Sequence, residues 1–422
     1  MAATGSGRRR EGLGSGFRAQ LASTGLANLA DGVFVTLAPL VALTLTSSPA
    51  LIALLTAAGW LPWLVFGLAA GVVIDRVDRR RVQVLALGVR AAVLGVVAVL
   101  GLGGGLSMPL LLAIALLYGV TEVFADLGAT SIVPDLVPAE KLPAANGRLI
   151  GVQQVANAFL GSPLAGVLVV LGAGAGFGTS AALAALAALT LAVGLRGDFR
   201  RAVTGTPARP LAQVREGLAF LVRHPVIRPL VIAGGVINLA STAYFAVFVL
   251  WAVGPDSAIG LTASQFPLLP LGLALGAVAG SVVVEGVQRR LGETRTMIGA
   301  LVISVLLMLV PVLWPNGWAV AAAFALVGVT NTVGNVITQS MRQRLVPGEL
   351  LGRVGGASRT LAFGLMPVGA VLGGVVAEHL GLAATFYAAV AVALLACGYL
   401  ARSLRNSGGQ EAAEPASTAV TV

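Results

Sequence analysis

Residues 67 to 81 read GLAAGVVIDRVDRRR, with Arg76, Arg79, Arg80 and Arg81 crowded between two apolar runs. Residues 49–66 precede the cluster and residues 82–102 follow it. At about 1.5 Å of rise per residue, each run is long enough to cross a hydrocarbon core of about 30 Å. The stretch therefore predicts a loop between two membrane spans. Positive charge close to span ends is retained inside the cell, so the four arginines predict a cytoplasmic loop and orient every other span.

Working outward, apolar runs separated by turn or charge signals give about twelve spans, starting near Phe17, Pro49, Val82, Met108, Ala144, Gly176, Ile227, Leu261, Thr294, Gly317, Gly355 and Leu382. Connectors on one side are tiny and nearly uncharged: Ser47 to Pro49, Gly103 to Ser107, Gly172 to Gly176, and Trp314 to Trp318. Apart from Arg90, inside the third span, every Arg and Lys falls in the tails or in the loops and span ends of the other side. This asymmetry predicts that both termini are cytoplasmic and that the protein is a multi-pass component of a bacterial inner membrane. The hydropathy breaks longest across residues 196–226, where Arg196, Asp198, Arg200, Arg201, Pro207, Pro210 and Pro225 fall. The expected organisation is a cytoplasmic tail at 1–16, a six-helix half at 17–195, a linker at 196–226, a second six-helix half at 227–404 and a tail at 405–422. Within the linker Leu211, Val214, Leu218 and Leu221 recur at helical spacing, which predicts an interfacial helix, with partner binding as the alternative.

Composition excludes other classes. A chain of 422 residues that is 57% hydrophobic and 10% charged has too little polar surface to coat a soluble globule. Its formal charge of +10 is carried by arginines between spans, so the membrane rule accounts for it and nucleic-acid binding is not expected. One cysteine, Cys397, excludes a disulfide within the chain, and with two histidines it builds no ordinary zinc site, so neither metal nor cofactor is expected. All but one of the 27 basic residues are arginine, which suggests a GC-rich bacterial genome.

The halves repeat. Residues 119–142, GVTEVFADLGATSIVPDLVPAEKL, match residues 328–351, GVTNTVGNVITQSMRQRLVPGELL, at an offset of 209. The same offset lays Gly67 and Gly71 on Gly276 and Gly280, and Arg80 and Arg81 on Arg289 and Arg290. Two parallel repeats of six spans, each starting inside, imply a pseudo-two-fold axis along the membrane normal and a site between the halves near the midplane. The fold class is thus an all-α membrane protein of twelve transmembrane helices in two six-helix parallel repeats.

These motifs resemble the major facilitator superfamily over about residues 17 to 404. Gly71, Asp75, Arg76, Arg79 and Arg80 match its loop pattern G-x-x-x-D-R-x-G-R-R, with Asp78 where that pattern usually has glycine. The run IVPDLVPAEKLPAANGRL at 132–149 is similar to the exporter branch that includes siderophore and macrolide exporters. Span five carries Gly161, Ser162, Pro163, Leu164, Ala165 and Gly166, which resembles the antiporter pattern G-P-x-x-G-G with two changes. The resemblance implies alternating access, a cavity lined by spans one, four, seven and ten, and a cytoplasmic gate in which Asp75 and Arg76 hold the halves together.

An ionised side chain at a helix centre costs about 2.5–3.5 kcal/mol on insertion scales, so each one needs a partner, a water-filled cavity or a proton. Asp31, Arg90, Glu122 and Asp126 are such residues. Glu122 and Asp126, at i and i+4, share one helix face, and their mutual repulsion predicts that one keeps a proton near neutral pH. The competing reading is a static ion pair with Arg90 that ties span three to span four. Asp31 is expected either to face the cavity or to bond Asn28 one turn away. In the second repeat Asn331 and Asn335 replace the acidic pair. With Asn238 and Gln339 they are candidates to bond a substrate or to join helices, as are Gln153 and Gln154. Trp60, Trp63, Trp314 and Trp318 read as interface anchors, the first two also as cavity lining. Gly161, Pro163 and Gly166 could equally pack and kink a helix.

The function expected is proton-coupled export of a hydrophobic or amphipathic small molecule, such as a drug, antibiotic, siderophore or other metabolite. The partners are that substrate, protons and the bilayer, and the chain is expected to work as a monomer. An importer or facilitator on the same fold is the alternative, and a non-transporting membrane sensor or scaffold the alternative of another class. An enzyme is not expected, because His224, His379 and Cys397 assemble no nucleophile with its base. No G-x-x-x-x-G-K-[ST] loop is present to bind ATP.

Overall fold

The computed structural model describes residues 13–200 and 219–411. Twelve helices among them are long and apolar enough to span a membrane. They are α1 (Gly14–Leu45), α2 (Pro49–Arg76), α3 (Arg79–Leu102), α4 (Met108–Ser131), α5 (Ala139–Leu171) and α6 (Ala173–Gly194). After the linker come α7 (Ile227–Ala252), α8 (Leu268–Leu291), α9 (Glu293–Leu313), α10 (Gly317–Leu345), α11 (Gly348–Leu380) and α12 (Leu382–Glu411). Most of the expected surface helix in the linker lies outside the described residues; among the described ones, 219–223 are helical before α7. Side chains such as Leu85, Val99, Val282 and Leu395 are mostly exposed on spanning helices, as lipid-facing surface requires.

Packing follows the repeat. In the first half α1 packs on α5 and α6, α2 on α4, and α3 on α4 and α6; in the second, α7 packs on α11 and α12, α8 on α10, and α9 on α10 and α12. The halves join along α2 with α11 and along α5 with α8, two seams exchanged by the pseudo-two-fold relation. Gly119 of α4 lies so close to α2 that a Cβ would drive into the Gly59 carbonyl; Gly328 of α10 stands in the same way against Leu273 of α8. Small residues let helix backbones approach where lipid gives no hydrophobic drive.

These contacts correct the register of the repeat. An offset of 209 holds for α4 and α10, but Arg79 opens α3 and Glu293 opens α9, an offset of 214. Arg289 and Arg290 sit in the last turn of α8, so they do not superpose on Arg80 and Arg81 in the first turn of α3. Gly67 and Gly71 differ likewise from Gly276 and Gly280, because a Cβ on the first pair meets nothing within 4 Å whereas the second pair is pressed on α10. With the corrected register a salt bridge recurs with its charges exchanged. Arg79 binds Asp135 at 2.6 Å, and Glu293 binds Arg344, each bridge joining the start of a half's third helix to the chain at or after its fourth.

The core shows which face is closed. One apolar cluster combines Leu37, Ile52, Leu111 and Phe177 of the first half with Val249 of the second, and another combines Ala53 and Ala57 with Tyr244, Phe324 and Phe386. Both mixed clusters lie toward the short, uncharged connectors. Toward the arginine-rich face, the cluster around Ile227, Val284 and Leu404 belongs to the second half and the linker end that leads into it, and those around Leu87 and Phe17 to the first half and the linker start that follows it. Among the described residues, the halves therefore share a core at the arginine-poor face and keep separate cores at the arginine-rich face.

Candidate functional site

Three helices of the first half bring charge together inside the membrane. Asp31 stands past the middle of α1, Arg90 midway along α3 and Glu122 on α4. The Arg90 guanidinium is fully buried and donates from Nη1 to Asp31 Oδ1 at 2.5 Å, from Nη2 to Glu122 Oε2 at 2.5 Å and from Nε to Thr121 Oγ1 at 3.0 Å. Its planar fork serves three acceptors at once, which a lysine ammonium on a flexible stem cannot match. The Thr121 hydroxyl in turn donates a hydrogen bond to the Tyr118 carbonyl at 2.7 Å. The Tyr118 hydroxyl donates to Asp31, and its ring lies 4.4 Å from the guanidinium carbon and stacks on Phe34 with centroids 3.9 Å apart. A cation held over an aromatic face and between carboxylates is compensated without water.

The charges do not balance. Two carboxylates touch one guanidinium, so the triad carries a net −1 when both are ionised. Asp126, a third carboxyl one turn further along α4, accepts from Gln153 Nε2 of α5 at 3.1 Å. A cavity of about 20 Å³, enough for one water, is lined by Asn28, Asp31, Gln83, Arg90, Glu122 and Asp126 with their neighbours. Glu122 keeps 30% of its side chain exposed, whereas Asp31 keeps 7%. Such a cluster can accept a proton at a carboxylate and release it by exchanging the partner of the guanidinium.

The two readings of Glu122 and Asp126, a repelling pair on one helix face and an ion pair with Arg90, meet in the geometry. The two carboxyl groups share a face and a cavity, but Glu122 is bound to Arg90 and Asp126 to Gln153. Asp31 does not bond Asn28, whose amide donates to the Thr24 carbonyl of its own helix at 3.0 Å. Tyr118 and Thr121 were not singled out as site residues. Tyr118 stands four residues before Glu122 and eight before Asp126, so the helical period of the acidic pair, extended one turn, reaches it.

In the second half Asn331 and Asn335 are exposed on α10, with the Asn335 side-chain amide donating to Asn331 Oδ1. Asn238 is half-buried on α7, where its backbone carbonyl accepts from Thr242 at 2.7 Å. Trp60 and Trp63 are half-buried and both pack on Phe363 of α11, with ring centroids 5.6 and 5.8 Å away, in the seam between halves.

In the basic cluster, the Asp75 side chain lies outside the described residues and Arg76 is exposed. Arg79 is bound to Asp135, and Arg80 donates to the Ala192 carbonyl at 2.6 Å and the Leu191 carbonyl at 3.4 Å, at the C-terminal end of α6. A cation there meets the negative end of the helix dipole. Asp78, at the position where the superfamily pattern has glycine, caps α3 by accepting from the backbone N–H groups of Arg80 and Arg81 at 2.9 and 3.3 Å. Its φ of −65° needs no glycine.

Span five departs from regular α geometry. Residues Val155–Gly161 form a π-helical stretch, and Pro163 follows at the start of the regular segment Ser162–Leu168. Proline removes one backbone donor, and a widened turn is a common way to accommodate that loss. Gly161 packs on Gly32 of α1, where a Cβ would come within 2.8 Å of the Gly32 Cα. Gly166 packs across the α5–α8 seam, where a Cβ would come within 2.9 Å of the Ser264 carbonyl.

The family described as transmembrane secretion effector matches residues 17–420. The chain is 29% identical over 296 residues to the enterobactin exporter EntS of Escherichia coli, covering 68% of each chain. It is 27% identical over 396 residues to the MFS-type transporter y4rN of Sinorhizobium fredii, covering 90% of this chain and 92% of that one. The fold is similar to that of the nucleoside transporter NupG, with a TM-score of 0.74 at 12% identity over 92% of this chain and 99% of that one. A bacterial homologue of the lysosomal transporter Spinster, solved inward-facing and unoccupied, gives a TM-score of 0.66 at 15% identity over 92% and 96%. At such identities these structures speak for the fold alone.

Proposed function

Because the chain belongs to the transmembrane secretion effector family and so is a major facilitator transporter, we propose that it is a proton-coupled exporter of a hydrophobic or amphipathic small molecule. Residues 17–195 and 227–404 are the two halves that rock in alternating access, and both termini lie in the cytoplasm of a bacterial cell. The observation that carries this reading is the buried Asp31–Arg90–Glu122 triad, one cation between two carboxylates with Asp126 a turn away. A fixed structural bridge needs one partner for one charge; the surplus carboxylate gives a proton a place to bind. The split core supports alternating access, since separate cores at the arginine-rich face are what a cavity open to the cytoplasm requires.

In this cycle a proton entering from outside neutralises Glu122 or Asp31, and Arg90 keeps the other carboxylate. Asn331, Asn335 and Asn238 offer the substrate uncharged hydrogen bonds from the second half. Gly71, Asp75 and Arg76 close the cytoplasmic face when the halves rock. Gly71 has room for that motion, because no described residue lies within 4 Å of where its Cβ would stand. Gly161, Pro163 and Gly166 let α5 slide on α1 and α8. One inward proton contributes about 2.3 kcal/mol per 100 mV and about 1.4 kcal/mol per pH unit, and a tenfold gradient of neutral solute costs about 1.4 kcal/mol. One-for-one exchange thus sustains a gradient of about a few hundredfold.

Energised efflux of a panel of dyes and antibiotics from pump-deleted bacteria tests the reading, with Glu122→Gln and Asp126→Asn compared at matched expression. Expulsion that stops when the proton gradient collapses and that Glu122→Gln abolishes is the expected result. Accumulation in place of expulsion would favour the import reading, and span-four variants that behave like the parent would remove the proton site.

A further inference from the structure

The two seams between the halves are built differently. At the α5–α8 seam the close contact is backbone on backbone, with Gly166 against Ser264 and Pro267. The turn leading into α8 satisfies its own donors: the Thr262 N–H donates to Gln265 Oε1 and the Gln265 N–H to Thr262 Oγ1, at 3.0 and 3.2 Å. At the α2–α11 seam the start of α2 is only partly satisfied from within, where Ser48 Oγ accepts from the Leu51 N–H at 3.3 Å. The rest comes from the other half. Glu378, near the end of α11, accepts at one carboxylate oxygen from Ser48 Oγ at 2.8 Å and from the Ala50 N–H at 3.1 Å.

We infer that Glu378 is a latch that holds the arginine-poor face shut. Its carboxylate sits at the positive end of the α2 dipole and takes up a backbone donor that otherwise has no helical partner. One turn earlier Gly374 lets α11 lie on α2, where a Cβ would meet Ala53 Cβ at 2.6 Å and Ala50 Cα at 3.1 Å. The latch therefore acts where the two backbones are closest. It joins residues 330 apart in sequence and belonging to different halves. Opening that face separates α2 from α11, so both hydrogen bonds must break. Both are solvent-exposed, so their contribution to folding is small. A conformational equilibrium is more sensitive, because its two states are close in free energy. Losing a charge at a helix N-terminus together with its two hydrogen bonds shifts such a population ratio about five- to tenfold.

The inference rests on alternating access, and the experiment separates the two. In a Cys397→Ala background, spin labels at Ser107→Cys and Trp314→Cys, in the α3–α4 and α9–α10 connectors, report the arginine-poor face; labels at Arg196→Cys and Arg405→Cys report the opposite one. The full-length protein is reconstituted in nanodiscs and distance distributions are measured by pulsed electron resonance. Glu378→Ala is expected to raise the ratio of long to short distances on the arginine-poor face about five- to tenfold, with the reverse change on the other face. Glu378→Gln, which keeps the shape without the charge, gives a smaller shift, and Leu380→Ala, an exposed residue two positions beyond the latch, gives none. If Glu378→Ala does not stay monodisperse, Glu378→Gln and Ser48→Ala carry the test. Two populations in the parent with no shift in either latch variant overturn the latch alone. A single unchanging population in every variant at both pH 5.5 and 7.5 overturns alternating access, and the latch with it.

Discussion

Replacing Arg90 by glutamine removes the one cation from a cluster that holds it with three hydrogen bonds. The substitution leaves Asp31, with 7% of its side chain exposed, facing only the Tyr118 hydroxyl, and Glu122 without its cation. Breaking a buried pair by removing one partner costs about 3–5 kcal/mol, because the remaining charge is uncompensated. Removing every charge leaves no such debt, so the triple variant Asp31→Asn, Arg90→Gln, Glu122→Gln should recover to within about 1–2 kcal/mol of the parent. The cycle formed by Arg90→Gln, Glu122→Gln and their combination should show a coupling of about 1–3 kcal/mol, as expected for residues in one network. Unfolding in mixed micelles by titrated denaturing detergent, followed by circular dichroism, measures all of these. An Arg90→Gln cost below about 1 kcal/mol, or equal costs with and without Glu122→Gln, would refute the argument that the cluster is a charge network.

The repeat-related bridges should differ in worth. Arg79→Ala, which removes a cation whose side chain is 2% exposed, should cost about 3 kcal/mol, whereas Arg344→Ala, at 63%, should cost less than about 1 kcal/mol in the same assay. Asp78→Ala should lower stability by about 1 kcal/mol through loss of the α3 cap, and Asp78→Asn should restore most of it. Gly328→Ala should cost about 2 kcal/mol or more, since its Cβ would overlap the Leu273 carbonyl, while Gly71→Ala should leave stability unchanged and slow efflux. In proteoliposomes Asp126→Asn should flatten the dependence of transport on an imposed pH gradient; a profile parallel to the parent's would remove Asp126 from the proton path.

Hydropathy needed no tertiary information to be read. Twelve runs long enough to cross a bilayer, alternately joined by bare and arginine-bearing connectors, follow from the cost of placing backbone and charge in hydrocarbon, a cost borne locally by each helix. The family was legible for a related reason, because residues 71–80 keep a motif whose residues are contiguous. Asp31, Arg90 and Glu122 were also visible one by one, since a buried ionisable residue stands out against an apolar run.

What the sequence left open was pairing. Whether Glu122 answers to Asp126, four residues away, or to Arg90, 32 residues away, depends on how α3 and α4 are rotated against each other, and periodicity fixes only which residues share a face. The repeat was read with one offset because aligned letters carry no gap; only packing showed that α8 and α9 are shifted by five residues against α2 and α3, and with that shift that Glu293 and Arg344 mirror Arg79 and Asp135 with charges exchanged. Glu378 carried no signal at all. An acidic residue near the end of a span looks like any interfacial charge until α11 is laid beside α2 and its carboxylate meets the first turn of a helix from the other half. Spans are decided by the cost of single segments in a membrane and the family shows in contiguous residues, whereas side-chain partners and the seams between halves are decided by contacts between segments far apart in the chain, which only the tertiary structure brings together.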